Sequence, residues 1–208
     1  PEARLNVQVN NSSLASVTIQ KGTKFTTTVN NNTYGFVVNE SQTVQPVNGI
    51  LKFENLPVYE GSLVTAKYTV DFNNPEKKYL ITSDRADTTT LKVTVQNSSS
   101  DTTTEVYNLA RDISTVKSTD KVYFLQEGED GKFEVYFGDN VIGKKLINGN
   151  IVILEFIVTN KTEANGASSF SGTSVGGVSD ITIETMQNAS GGAEPETIQS
   201  IKYYAPLN

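Results

Sequence analysis

From Gly138 to Lys145 the chain reads Gly-Asp-Asn-Val-Ile-Gly-Lys-Lys, a glycine, four residues, a second glycine and a lysine. That spacing invites phosphate chemistry, because a glycine-rich loop can wrap its amides around a nucleotide while the lysine reaches the outer phosphates. The final position of the pattern needs Ser or Thr, whose hydroxyl sits on magnesium, and Lys145 stands there instead. The pattern also needs a helix next, so that amides and dipole face the anion. Leu146 to Asn150 leads instead through a Gly-Asn turn into the β-branched run Ile151-Val152-Ile153. The stretch reads as a loop joining two strands.

Acidic residues offer the other chemistry. Glu127, Glu129 and Asp130 precede Gly131 in a tight turn that suggests calcium, but the spacing departs from the EF-hand loop and no bidentate Glu follows at the required distance. Paired carboxylates can hydrolyse glycosides at a fixed separation, and 23 Asp and Glu residues supply accidental pairs in any fold. Cysteine and histidine are absent, which excludes disulfides, thiol nucleophiles and every histidine-dependent triad. The expectation is a chain that is not an enzyme, with no catalytic residue, cofactor or metal. Asp139 is expected to fix its own turn by accepting backbone amides. Tyr123, Phe124, Phe133, Tyr136 and Phe137 are expected in the core and on sheet faces before they serve as a sugar-stacking platform. Asn-x-Ser/Thr triplets at Asn11, Asn31, Asn39, Asn97, Asn160 and Asn188 are expected by chance in so Asn-, Ser- and Thr-rich a chain.

The net charge of -6 argues against nucleic acid, which demands a cationic surface. Lys77-Lys78 and Lys144-Lys145 are pairs rather than patches. No apolar run is long enough to span a membrane, and no basic-then-apolar N-terminus occurs. A soluble protein of a reducing compartment is expected and, from Pro1 in place of Met, a fragment.

The elements that must position these residues read as β. Leu5, Val7 and Val9 alternate, as do Val17 and Ile19, and Lys24 to Val29 and Tyr34 to Val38 flank Asn30-Asn31-Asn32 as a hairpin. Val64, Ala66, Tyr68 and Val70 put one apolar face on a strand ending at Asn73-Asn74-Pro75. Residues 1–78 are therefore assigned to a first β lobe. In a second lobe, 79–160, Leu91, Val93 and Val95 alternate, Val122 to Gln126 and Phe133 to Phe137 form a hairpin, and the apolar run Ile151 to Val158 suggests cover on both faces. Val106, Leu109, Ala110 and Ile113 fall on one helical face, predicting a short helix over Glu105 to Ile113. Residues 161–208 are a Gly/Ser-rich segment with a strand at Asp180 to Met186 and a helix from Pro195 to about Tyr203. The fold class is mainly β, two β-sandwich-like lobes with one or two short helices.

Four stretches, in order, resemble the baseplate J-like family, especially the wedge proteins of T-even-like phages with contractile tails. They are Ser16 to Phe25 with its Ile-x-x-Gly-Thr-x-Phe core, the Tyr59-Glu60-Gly61 segment, Phe137-Gly138-Asp139 with Gly143 and Gly149, and Gly191-Gly192 running on to Ala205-Pro206. Asn140 stands where many relatives have Gly, and Asn tolerates the left-handed backbone that the turn needs. The resemblance implies a structural protein of the virion tail baseplate, made in the host cytoplasm. It also implies that the full-length protein dimerises and joins other wedge proteins in a ring around the tail hub, which rearranges as the sheath contracts. It implies too that the first lobe is interrupted, so that 161–208 packs back on it. The loop carrying Gly138, Asp139, Asn140, Gly143 and Gly149 is the expected contact surface, together with 161–192. No nucleic acid or membrane partner is expected. The alternative is a carbohydrate- or receptor-binding β-sandwich from a fibre or adhesin, whose strands, polar loops and acidity would look the same.

Overall fold

The structure, a computed structural model, describes residues 1–11, 13–128 and 131–193 of the chain. It is mainly β and divides into two sandwich-like units. Unit 1 is Pro1–Ser62 with the chain from Thr159 onward, and unit 2 is Leu63–Val158. In chain order the strands are β1 Glu2–Val9, β2 Val17–Ile19, β3 Lys24–Val29, β4 Asn32–Val37, β5 Gln42–Val44, β6 Leu51–Glu60, β7 Ser62–Thr69, β8 Tyr79–Ile81, β9 Ala86–Gln96, β10 Thr104–Leu109, β11 Val122–Glu127, β12 Phe133–Phe137, β13 Ile151–Val158, β14 Ser171–Gly172 and β15 Ile181–Ser190. No helix among the described residues is long and apolar enough to cross a membrane.

In unit 1 a six-stranded sheet runs β14-β3-β4-β6-β1-β15, with β2 and β5 paired separately. The β3–β4 hairpin closes on Asn30 and Asn31, both at positive φ, with Val29 opposite Asn32. This two-residue turn matches strand twist and suits Asn better than most residues. Leu5, Val7 and Val9 of β1 meet Phe25, Phe36, Phe53 and Leu56 in the core. The sequence gives no clean alternation for β6, because Asn55 and Pro57 interrupt it, yet β6 is an interior strand. A bulge explains how. Leu5 faces Leu56 while Val7 faces Phe53, which leaves an extra residue on β6 where Asn55 turns to a φ of 53°. The buried Asn6 side chain accepts the displaced Asn55 amide at 2.9 Å, so the bulge loses no hydrogen bond. From the Gly/Ser-rich stretch, Ala164, Ala167, Phe170 and Val175 enter the same core, Phe170 meeting Phe36 edge to face at 5.0 Å.

In unit 2 a seven-stranded sheet runs β7-β13-β9-β10-β11-β12-β8. Its two edges are tied, since the Tyr68 hydroxyl donates to the Leu80 carbonyl at 2.6 Å. Tyr68, Tyr79, Phe137 and Tyr107 continue as a chain of edge-to-face rings. Val93, Val95, Leu154 and Phe156 fill the core. On β13 the alternation survives its apolar composition as far as Phe156, with Val152, Leu154 and Phe156 fully buried and Ile151, Ile153 and Glu155 partly so, and it breaks at buried Ile157, where the pairing with β9 shifts register.

Two expectations need correction. The division falls after Ser62 rather than after residue 78, because β7 joins the second sheet and Val64, Ala66 and Tyr68 pack on its core. The helix expected over Glu105 to Ile113 is strand β10, paired with β9 from Thr104 opposite Gln96 to Tyr107 opposite Val93. A helix would have buried Val106 and Ile113, which are 64% and 57% exposed, whereas Tyr107 is buried. Pairing with β9 outweighs a helical spacing that local propensity supports only weakly. A 3-10 turn at Ile113–Thr115, capped by Asp112, follows β10. The helix expected from Pro195 lies outside the described residues, as do Glu129 and Asp130 of the acidic turn.

Candidate functional site

The loop after β12 is closed on itself. Gly138 bridges to Lys145 in parallel. Asp139 Oδ1 accepts the amides of Val141 and Ile142 at 2.8 and 2.9 Å. The Asn140 amide donates to the Gly143 carbonyl at 2.9 Å and the Gly143 amide to the Lys117 carbonyl at 3.1 Å. The Lys144 amide reaches the Asp120 carbonyl at 2.8 Å, and the Lys145 amide reaches Asn140 Oδ1 at 2.9 Å. Every amide from Asn140 to Lys145 is thus spent inside the protein, leaving none to cradle a phosphate. Lys144, the lysine of the phosphate pattern, binds Glu105 at 2.7 Å.

Asn140 adopts a φ of 71° and Gly143 one of 81°. A side chain at Gly138 would overlap the Gly143 carbonyl group, so the two glycines serve a close backbone approach. Gly149 lies apart, in the next turn, with a φ of 88°. There the Asn150 side chain accepts the Ile147 amide at 2.7 Å and donates to the Asn97 carbonyl at 2.9 Å.

Among the described residues of unit 2, four carboxyls are held below their ordinary values. Asp139 is lowered by the Ile142 and Val141 amides, Glu105 by Lys121 and Lys144, Asp101 by Asn97 and Thr103, and Asp112 by Ser114. A folded pKa below the unfolded one gives stability that is complete above the unfolded value and is lost as pH falls through the folded value. The midpoint of urea unfolding is therefore expected to drop once the pH passes below about 4. An equal midpoint at pH 6 and pH 3 would refute this.

Beside the loop is a 410 Å³ cleft lined by Phe72, Lys77, Tyr79, Tyr136, Phe137 and Lys145, among others. Lys145 lies over the Phe72 ring, 5.5 Å from its centroid, and Lys78 pairs with Glu134 at 3.3 Å. The two lysine pairs that look isolated in the sequence therefore contribute Lys77, Lys78 and Lys145 to one cleft. Phe72 and Tyr136 are exposed at its edge, and on the loop tip Val141 is 73% and Ile142 39% exposed. The sequence signal for this tip is an aliphatic pair between Asn140 and Gly143, where turns are ordinarily polar. Among the described residues no group of three His, Cys, Asp or Glu side chains could hold a metal ion.

The chain is similar in sequence to a known protein. The similarity is to a baseplate wedge protein. The chain is 26% identical over 213 residues to Baseplate wedge protein gp6 of Enterobacteria phage T4, covering 89% of this chain and 31% of that protein. It thus spans about a third of that relative's length. No family model matches the chain.

Proposed function

We propose that this chain is a structural, non-enzymatic module of a phage tail baseplate wedge. It assembles with copies of itself and with other wedge proteins into the ring around the tail hub. The observation that carries this reading is the similarity to Baseplate wedge protein gp6, which covers 89% of the chain and therefore both β units rather than one borrowed motif. The architecture supports it. Closed or nearly closed sheets with full cores keep spacing under load, while tight, internally bonded loops present fixed contact surfaces. The loop at 138–149 and the segment at 161–192 are the surfaces assigned to contact.

Immunogold electron microscopy of contractile-tailed virions that carry this chain, using antibody raised against it, tests the reading. Gold is expected at the baseplate end of the tail, on intact or disrupted particles. Gold on fibre tips would overturn the reading in favour of a receptor- or glycan-binding module, with Phe72 and Tyr136 as its stacking residues.

A further inference from the structure

Unit 2 presents two features side by side that the fold does not require. The first is the tip of the loop. Val141 and Ile142 are held rigidly, since Asp139 and Asn140 fix their backbone, yet their side chains meet water. A rigid loop that exposes two aliphatic side chains has already met the ordering cost that binding would otherwise incur. The second is the cleft at the loop's base. Its lining includes the aromatic residues Phe72, Tyr79, Tyr136 and Phe137 together with Lys77 and Lys145. Its 410 Å³ falls within the range of about 300–1,000 Å³ that binding pockets occupy.

We infer that the occupant of this cleft is the Val141–Ile142 tip of a second copy of the chain, and that two copies exchange tips reciprocally about a two-fold axis. Charge points to this occupant. The tip's charge is Asp139, whose carboxylate accepts the Val141 and Ile142 amides, and the cleft is lined by Lys77, Lys78 and Lys145 against Glu76 and Glu134, so it keeps an excess of positive charge. In a chain of net charge -6 two copies repel at a distance, so a contact in which opposite charges face each other is favoured over others. Position supports it as well. Gly138 and Lys145, the two ends of the loop, are also part of the cleft wall, so tip and cleft are neighbours on one surface. A two-fold operation places each tip against the other cleft, as an isologous interface requires.

The contact deepens the reading given under Proposed function, from which it takes only that the chain associates with itself. Sedimentation velocity of the whole chain over a concentration series tests it. The wild type is expected to show a monomer–dimer equilibrium that Val141→Asp and Phe72→Ala each weaken on the order of tenfold or more. Lys77→Glu is expected to weaken it as well. Val141 and Phe72 are exposed and Lys77 is half-buried, and none of the three belongs to the core, so circular dichroism is expected to stay that of the wild type. The absence of cysteine permits a geometric check, in which Val141→Cys on one copy and Tyr136→Cys on the other form a disulfide under mild oxidation. A wild type that stays monomeric, a dimer indifferent to both Val141→Asp and Phe72→Ala, or open polymers in place of dimers would each overturn the contact. A monomeric chain with gold still on baseplates removes the contact and leaves the baseplate reading. A dimer sensitive to Val141→Asp with gold elsewhere does the reverse.

Discussion

Glu60→Ala is expected to destabilise unit 1 by about 4 kcal/mol. The side chain is 1% exposed and accepts three hydrogen bonds. Thr159 Oγ1 donates to Oε2 at 2.6 Å, the Asn160 amide to Oε2 at 2.8 Å, and Asn160 Nδ2 to Oε1 at 2.7 Å. No cation pairs with it among the described residues, so these donors carry the whole compensation for burying a carboxylate. Alanine would remove the carboxylate that a backbone amide, a side-chain amide and a hydroxyl now share. The chain leaves unit 1 after Ser62 and returns at Thr159, so the same three bonds fasten the returning segment to the end of β6. Glu60→Gln keeps the shape and one acceptor, and is expected to cost about half as much. Urea unfolding of the full chain, with hydrogen exchange followed on β6 and on residues 159–160, measures both variants. A loss under about 1 kcal/mol for Glu60→Ala would show that water replaces the carboxylate.

Gly138→Ala carries the second large effect, about 3 kcal/mol against unit 2. The cause is steric. An added Cβ would overlap the backbone of Ile142 and Gly143, and neither can retreat while Gly143 is bonded to Lys117 and Lys144 to Asp120. Gly149→Ala provides the contrast. Nothing lies within 4 Å of its Cβ position, but its φ is 88°, so its cost is conformational and expected near 1–2 kcal/mol. Thermal unfolding of both variants separates the two causes. Equal losses would mean that the loop moves to accept a methyl group and that the close approach of Gly138 and Gly143 is not required.

The parts of the fold legible in the sequence are those set by neighbours along the chain. Alternation at Leu5, Val7 and Val9 specifies β1, because a strand with one covered face repeats every two residues. Asn30-Asn31 specifies the β3–β4 turn, because both residues must take positive φ. Asp139 was legible as a turn-former for the same local reason. β6 was not, since the Asn6 side chain that stabilises its bulge lies 49 residues away. β10 was misread because Val106, Leu109 and Ile113 satisfy helical spacing equally well, and only pairing with β9 decides between the two periods. Of the site, the glycines and Asp139 could be named in advance, but not the cleft beside them.

Legible in the chain alone are the β class, most strand positions, the turn chemistry at Asn30, Asp139 and Asn140, and the exclusion of cysteine and histidine chemistry. Each of these depends on residue type or on spacing of a few positions. Long-range packing is what puts β7 in the second sheet, brings Lys77 and Lys145 to one cleft, and satisfies Glu60 with residues about a hundred positions away. Those outcomes depend on which distant strands pair. Local sequence does not encode that choice, because the energy that selects it comes from burying whole faces against one another.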